Sequence, residues 1–358
     1  REQYEQALSL DDSNLQALMG LARIAQSEGN DARTEELLRS ALDAHPSAAG
    51  PKAILARLLA QSARLAEAES LANDLAPVGL RSALVAEVVG DIFLNVGRVD
   101  DALAQFQAAA ARDTESPAVQ FGLARAQLAN GRSVEARDAL NRALDLSPAW
   151  PPAMTLLALV EIGQGQIDDA RELVTAFKQA HPDNPAAFVL EGEIHFYAQD
   201  FEDAAGAFRR ALSMGSGRSI VLREHQALVA GSLPDSGAPL ESWLAQNPDD
   251  DGVRRYLAQH YQVNGQAENA IAEYERVLEV SPEDAVVLNN LAWQYQQGRN
   301  FEKAVALAEQ AFSLAPESGS IADTLGWIYR DMGETQKSIE MLGDAAKLSP
   351  NNGEIQYH

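Results

Sequence analysis

"NNLAWQYQQGR", Asn289–Arg299, and "DTLGWIYRDMG", Asp323–Gly333, carry a small residue, a tryptophan and a tyrosine at matching places 34 residues apart. The frame they share extends along the chain. Prolines that follow apolar stretches, Pro46, Pro148, Pro182, Pro248, Pro282, Pro316 and Pro350, stand at multiples of 34 residues, except that Pro182 to Pro248 is two residues short. Asp12, Leu80, Thr114 and Ser216 fill the remaining slots. With this slot numbered 32 of 34, position 8 is small in nine units, among them Ala22, Gly90 and Gly326, and position 20 is mostly alanine. Small residues at fixed spacing let two helices approach closely. Glycine at position 15 (Gly29, Gly97, Gly131, Gly165, Gly265, Gly333) suits the left-handed turn that ends a first helix, and the proline slot punctuates the second. Each unit therefore reads as a helical hairpin.

This pattern resembles the tetratricopeptide repeat, a 34-residue helix–turn–helix with these small and apolar positions and a closing proline. The resemblance covers essentially the whole chain and implies an all-α, right-handed α-solenoid of about ten hairpins. Residues 1–12 are expected to be the second helix of a preceding repeat, with Tyr4 at position 24, and 13–216 to hold six units. An irregular, shortened unit follows at 217–248, with a Gly/Pro/Ser-rich turn from Gly231 to Pro239 that makes it the candidate hinge. Three more units occupy 249–350, and 351–358 open another first helix. Neither end has a polar capping helix, so the array is expected to continue beyond both.

Composition narrows the function. The 358 residues are 46% hydrophobic, enough for a packed core, and carry 28 basic against 52 acidic side chains, a net charge of -24. Such a charge repels phosphate backbones, so nucleic acid is not an expected partner. No apolar run is long enough to cross a bilayer, and Arg1 opens no signal-peptide pattern. The absence of cysteine excludes disulfides, thiolate metal sites and thiol nucleophiles.

A search for chemistry returns weak candidates. "NPDDDG", Asn247–Gly252, starts like a calcium loop, but Ala258 stands where the bidentate glutamate belongs, which leaves an acidic turn and helix cap. His45 and His181 precede position-32 prolines and are expected to cap helix ends. Glu191 and His195 share a helix face, and with Gln127, Glu161 and His225 they form a polar seam through the middle repeats. Mutual hydrogen bonding that fixes repeat register is the expected role of the seam; metal binding and pH sensing are the alternatives. No Ser/His/Asp, HExxH or phosphate-loop spacing occurs, so no catalysis, cofactor or resident metal is expected.

A partner remains. First helices line the concave groove of such a solenoid, and at about 100° per residue position 9 points away from the buried arc. It reads Arg23, Arg57, Asp91, Arg125, Leu159, Glu193, Ala227, Gln259, Trp293 and Trp327. The expected contact surface is Trp293 and Trp327 with Asn289, Asn290, Asp323 and Arg330, while Arg23, Arg57 and Arg125 offer contacts to carboxylates at the other end. Two specialised grooves are missing. The carboxylate clamp of chaperone-binding members is matched only as far as Arg255, Gln259 and Asn290, because Ser320 and Thr324 replace its last basic pair. An asparagine ladder would need more than Asn290.

The C-terminal part, through "LNNLAW", "LAEQAFSLAP", "DTLGW" and "EIQYH", resembles the tetratricopeptide lipoprotein family of bacterial PEP-CTERM/exosortase systems. That resemblance implies a non-catalytic scaffold for exopolysaccharide production and protein sorting, holding a protein or peptide partner in its groove, periplasmic or anchored at the outer membrane. A lipid anchor outside these residues is implied by that resemblance alone. A cytosolic adaptor for complex assembly or regulation is the alternative, and an array linked to an enzyme domain outside these residues a third.

Overall fold

A computed structural model describes residues 1–357, which form helices α1 to α22 and no strand. Two compact units are present, Arg1–Asp183 and Asn184–His358. The first opens with α1 (Glu2–Leu10) and continues as hairpins α2/α3 (Leu15–Ser27, Asp31–Ala44), α4/α5 (Ala49–Gln61, Leu65–Gly79), α6/α7 (Ala83–Asn95, Val99–Ala110), α8/α9 (Pro117–Ala129, Ser133–Leu146) and α10/α11 (Pro151–Gly163, Ile167–Ala180). The second holds α12/α13 (Pro185–Tyr197, Phe201–Ser213), α14/α15 (Arg218–Ala230, Ala238–Gln246), α16/α17 (Asp251–Val263, Ala267–Val280), α18/α19 (Ala285–Gln297, Phe301–Leu314), α20/α21 (Gly319–Met332, Thr335–Leu348) and the short α22 (Gly353–Tyr357). His358, the last residue of the "EIQYH" landmark, lies outside the described residues.

Local chemistry starts and stops these helices. Asn30 Oδ1 accepts from Arg33 N at 3.0 Å, and Asp284 Oδ1 accepts from the amides of Val286 and Val287 at 3.1 Å, filling donors that a helix start leaves open. Pro117, Pro151 and Pro185 begin helices where no amide hydrogen is needed. At position 15 the six expected glycines all have positive φ, from 70° at Gly29 to 81° at Gly333. The slot imposes the same conformation on side chains: Ala63, Gln199 and Arg299 sit at φ 58°, 63° and 57°. An L-residue there pays about 1–2 kcal/mol, part of which glycine returns as unfolded-state entropy. Ala63→Gly is therefore expected to stabilise the first unit by about 0.5–1 kcal/mol in chemical denaturation; a loss of stability would show that the turn carries no strain.

First and second helices both feed the core, and a position-24 ring shows how they fit. Phe106 of α7 and Phe208 of α13, both at position 24, are fully buried. Each ring lies on glycines: a β-carbon at Gly90 would stand 2.5 Å from Phe106 Cε2, one at Gly122 of the next first helix closer still, and one at Gly192 would stand 2.6 Å from Phe208 Cε1. The small residues are thus the floor of an aromatic slot. Tyr4 of α1 meets Gly20 of α2 in a similar way.

The irregular unit corrects the frame. First helices begin 34 residues apart except α12 to α14 and α14 to α16, where the starts, Pro185, Arg218 and Asp251, are 33 apart. The two-residue shortfall is therefore split, one residue lost at the end of α13 and one within α14/α15. Counting it in one place puts Ala227 at the outward position 9, yet Ala227 is fully buried and Gln226 is exposed. The same slip places Glu224, 4% exposed, at the core position first given to His225.

Candidate functional site

In the second unit, α16, α18 and α20 present the outward face picked out by the tryptophans. Trp293 is 37% exposed, and Val286 of the same helix and Tyr256 and Val263 of α16 are more open. Trp327 is half-buried, with the Arg330 guanidinium carbon 3.6 Å from its ring centroid, so a cation covers the indole face. Arg330 Nη2 also donates to Asp331 Oδ1 at 2.7 Å, and Gln296 Nε2 of α18 donates to Asp331 Oδ2 at 2.8 Å. Burial works to raise the Asp331 carboxyl, but the bonds from Arg330 and Gln296 outweigh it and hold the group below the ordinary range. Asn290 turns inward, donating to Tyr274 Oη at 3.3 Å, whose hydroxyl donates to Gln262 Oε1 at 2.8 Å. Asn289 Oδ1 is buried without a hydrogen-bond donor, and Asp323 sits half-buried one turn before Trp327. Of the expected C-terminal contact residues, Trp293 is the one whose ring is openly presented.

In the first unit, Arg23 is exposed, and the other two arginines converge on α6. Arg125 Nη1 donates to Asp91 Oδ1 at 2.6 Å, and Arg57 Nη2 stands 3.8 Å from Glu87 Oε1. Arg57, Asp91 and Arg125 border a pocket of about 270 Å³ between α4, α6 and α8. Burial pushes the Asp91 carboxyl up even against the pull of Arg125 and Arg57. The carboxylate contacts expected of Arg57 and Arg125 are thus already made by the intervening repeat.

Within each unit the polar side chains of the expected seam make local contacts. His225 Nδ1 lies 2.7 Å from the Ser236 carbonyl with its ring edge-on to His260, while His195 Nδ1 stands 3.6 Å from Asp200 Oδ2. Glu161, 5% exposed, has Arg137 Nη1 only at 3.9 Å, and its Oε2 accepts no hydrogen bond. Gln127 Oε1 and His195 Nδ1 are likewise buried without a hydrogen-bond partner. No group of three or more His, Asp or Glu placed to hold a metal ion occurs among the described residues. Asp250 of "NPDDDG" caps α16 through Val253 N at 3.1 Å and accepts from Trp243 Nε1 at 2.9 Å.

Burial raises the Glu161 carboxyl above its ordinary value, with Arg137 opposing. A group whose folded value is raised favours the fold below its unfolded range and loses that contribution as pH rises through the folded value. Glu161→Gln should therefore raise the melting temperature at pH 7, by about 1 kcal/mol of stability. The gain should vanish as pH falls into the carboxylate range. Gln127 already fills the same slot one repeat earlier. An equal gain at all pH values would refute this account.

Two sets of ties escaped the sequence reading. Tyr261, Tyr295 and Tyr329 at position 11 each donate to a glutamate 20 residues earlier, Glu241, Glu275 and Glu309, at 2.8, 2.6 and 2.6 Å. Burial first, then the glutamate, pushes Tyr261 and Tyr329 up to about 12. His45 and His181 do cap α3 and α11, and each imidazole Nε2 also reaches a carbonyl 32 residues back, Ser13 at 2.7 Å and Ala149 at 2.6 Å. The signal was a co-occurrence at fixed separation.

A family profile described as the tetratricopeptide repeat matches residues 1–49, 90–151, 155–219 and 255–318, more than half of the chain, and a second of the same description matches 321–352. The chain belongs to the tetratricopeptide repeat family. Among solved structures, PilF of Pseudomonas aeruginosa superposes with a TM-score of 0.51 at 21% identity, over 60% of this chain and 98% of that one. Yeast Tom70 gives 0.46 at 13% identity over 99% and 89%. Among curated proteins, cellulose synthase operon protein C of Pseudomonas fluorescens (strain SBW25) is 30% identical over 154 residues, 40% of this chain and 12% of that protein. The CTR9 homolog of Arabidopsis thaliana is 30% identical over 112 residues, 31% and 10% of the two chains. This chain therefore spans about a tenth of the length of these relatives. The tetratricopeptide fold is in general a non-catalytic scaffold for protein–protein interaction, and no catalytic family matches. No helix among the described residues is long and apolar enough to cross a membrane.

Proposed function

We propose that this tetratricopeptide array is a scaffold in a bacterial cell-envelope pathway of the PEP-CTERM type, serving exopolysaccharide export or protein sorting. It is periplasmic or held at the outer membrane by a lipid outside these residues, and it receives a segment of a protein partner on the α16, α18 and α20 face. The observation that carries the binding reading is the character of that face. In a chain of net charge -24, it exposes Tyr256, Val263, Val286 and Trp293. Its ions are paired locally, Arg255 with Asp284 at 3.0 Å and Arg330 with Asp331 at 2.7 Å. An exposed aromatic–aliphatic patch whose arginines are locally paired suits an apolar anchor from a partner. The envelope setting draws support from the "LNNLAW", "LAEQAFSLAP" and "DTLGW" stretches and from the similarity to cellulose synthase operon protein C.

A photo-crosslinking amino acid at position 293 should capture a partner in intact envelopes, whereas the same group at Ala306, exposed on α19, should not. Trp293→Ala should weaken that partner by about 2 kcal/mol, roughly thirtyfold, without moving the thermal transition. Unchanged affinity with a large loss of stability would assign Trp293 to packing and overturn the reading.

A further inference from the structure

The irregular repeat leaves a space beside its shortened second helix. Helix α15 has nine residues, against fourteen in α11 or α17, and begins only at Ala238. The missing first turn opens a pocket of about 750 Å³ between α13, α14 and α15. Leu212, Val221 and Leu228 form its apolar lining, and Trp243 stands in its wall. The indole is oriented by its bond to Asp250, and the turn beside it is held by the bond between His225 and the Ser236 carbonyl.

The charges of this pocket are unbalanced. Its ionisable lining is Glu224, Asp235 and Arg209, two acids and one base. Glu224 is 4% exposed, and its Oε1 accepts one bond, 2.8 Å, from Arg209 Nε. The Arg209 side chain is itself 65% exposed, so the buried carboxylate is covered by a strap that lies mostly in water. Burial pushes the Glu224 carboxyl up although Arg209 pulls it down, which means the strap compensates the buried charge only in part. An exposed arginine loses little on release, because water takes over its hydrogen bonds.

We propose that this pocket binds an organic cation, an ammonium or guanidinium on an apolar stem, whose head replaces Arg209 at Glu224 and whose stem lies on Leu212, Val221 and Leu228. The indole of Trp243 in the wall supplies further aromatic surface for the ligand. A free alkylamine and the lysine or arginine side chain of a polypeptide share this chemistry. The site is separate from the α16, α18 and α20 face and does not depend on the function proposed for it.

Titration of the whole chain with hexylamine, with a blocked pentapeptide Ala-Ala-Lys-Ala-Ala and with hexanoate, followed by calorimetry and by tryptophan fluorescence, tests the proposal. Saturable binding of the amine or of the lysine peptide is expected, and the tighter of the two names the source; hexanoate should not bind. Glu224→Gln, checked for folding by circular dichroism, should weaken the cation by about tenfold or more. Arg209→Ala, which removes the internal competitor, should tighten it. Binding of hexanoate in place of the cations, no binding of either cation, cation binding unchanged in Glu224→Gln, or weaker binding in Arg209→Ala would each overturn the site.

Discussion

Phe106→Ala is expected to cost about 3–5 kcal/mol, because the ring is fully buried and fills a slot floored by two glycines that cannot close the space behind it. The loss should be local in origin. Each repeat contacts its neighbours only, so hydrogen exchange should quicken first in α6, α7 and α8, ahead of the rest of the first unit. The reciprocal substitution separates shape from hydrophobicity. Gly122→Ala alone should destabilise by about 1–3 kcal/mol through overpacking against the ring. Combined with Phe106→Leu it should cost less than the sum of the two single changes, since the smaller side chain vacates the room that the new methyl needs. Additive costs, or protection lost first in α10 and α11, would show that the ring does not join α6 to α8.

The second large effect belongs to a buried ion pair in the second unit. Arg254 is 8% exposed, and its Nη1 donates to Glu273 Oε2 at 2.7 Å while Nη2 donates to the Pro248 carbonyl. Glu273 also accepts from Arg276 at 2.7 Å, so its charge is shared between a buried and an exposed partner. Arg254→Ala strands the carboxylate and the Pro248 carbonyl together and should cost about 3–5 kcal/mol. Arg254→Met with Glu273→Leu removes both charges and should recover most of that loss, read as the denaturation midpoint. If the double variant were as unstable as the single one, the packing of the arginine stem would be the source of the stability.

Much of the fold was legible because the period repeats a steric demand. A left-handed residue at position 15, most often glycine, and a small residue at position 8 recur where a hairpin turns and where a position-24 ring lands, and both show in the letters. The frame failed at α14. The end of α13 carries no proline to mark its missing residue, so counting assigned Ala227 to the surface when Gln226 occupies it. The tryptophans were found by spacing, but the different exposure of Trp293 and Trp327 was not, since it turns on Arg330, three residues on from Trp327, folding back over the indole. The pairing of Arg125 with Asp91 was hidden for another reason. The two residues share a position in neighbouring repeats and become partners only once the helices stack.

The tyrosine–glutamate ties carry a consequence for inheritance. Each reaches back 20 residues, into the preceding repeat and no further. Excising residues 285–318, one whole period, would set Tyr329 opposite Glu275 at the separation that Glu309 now occupies. Duplicating the same segment would add a tie of the same kind. A gene encoding such ties can grow or shrink by recombination in steps of 34 codons without leaving a tyrosine stranded, whereas excising the 33-residue unit 218–250 would remove Glu241 and set Tyr261 opposite Phe208, the two later ties keeping their separation.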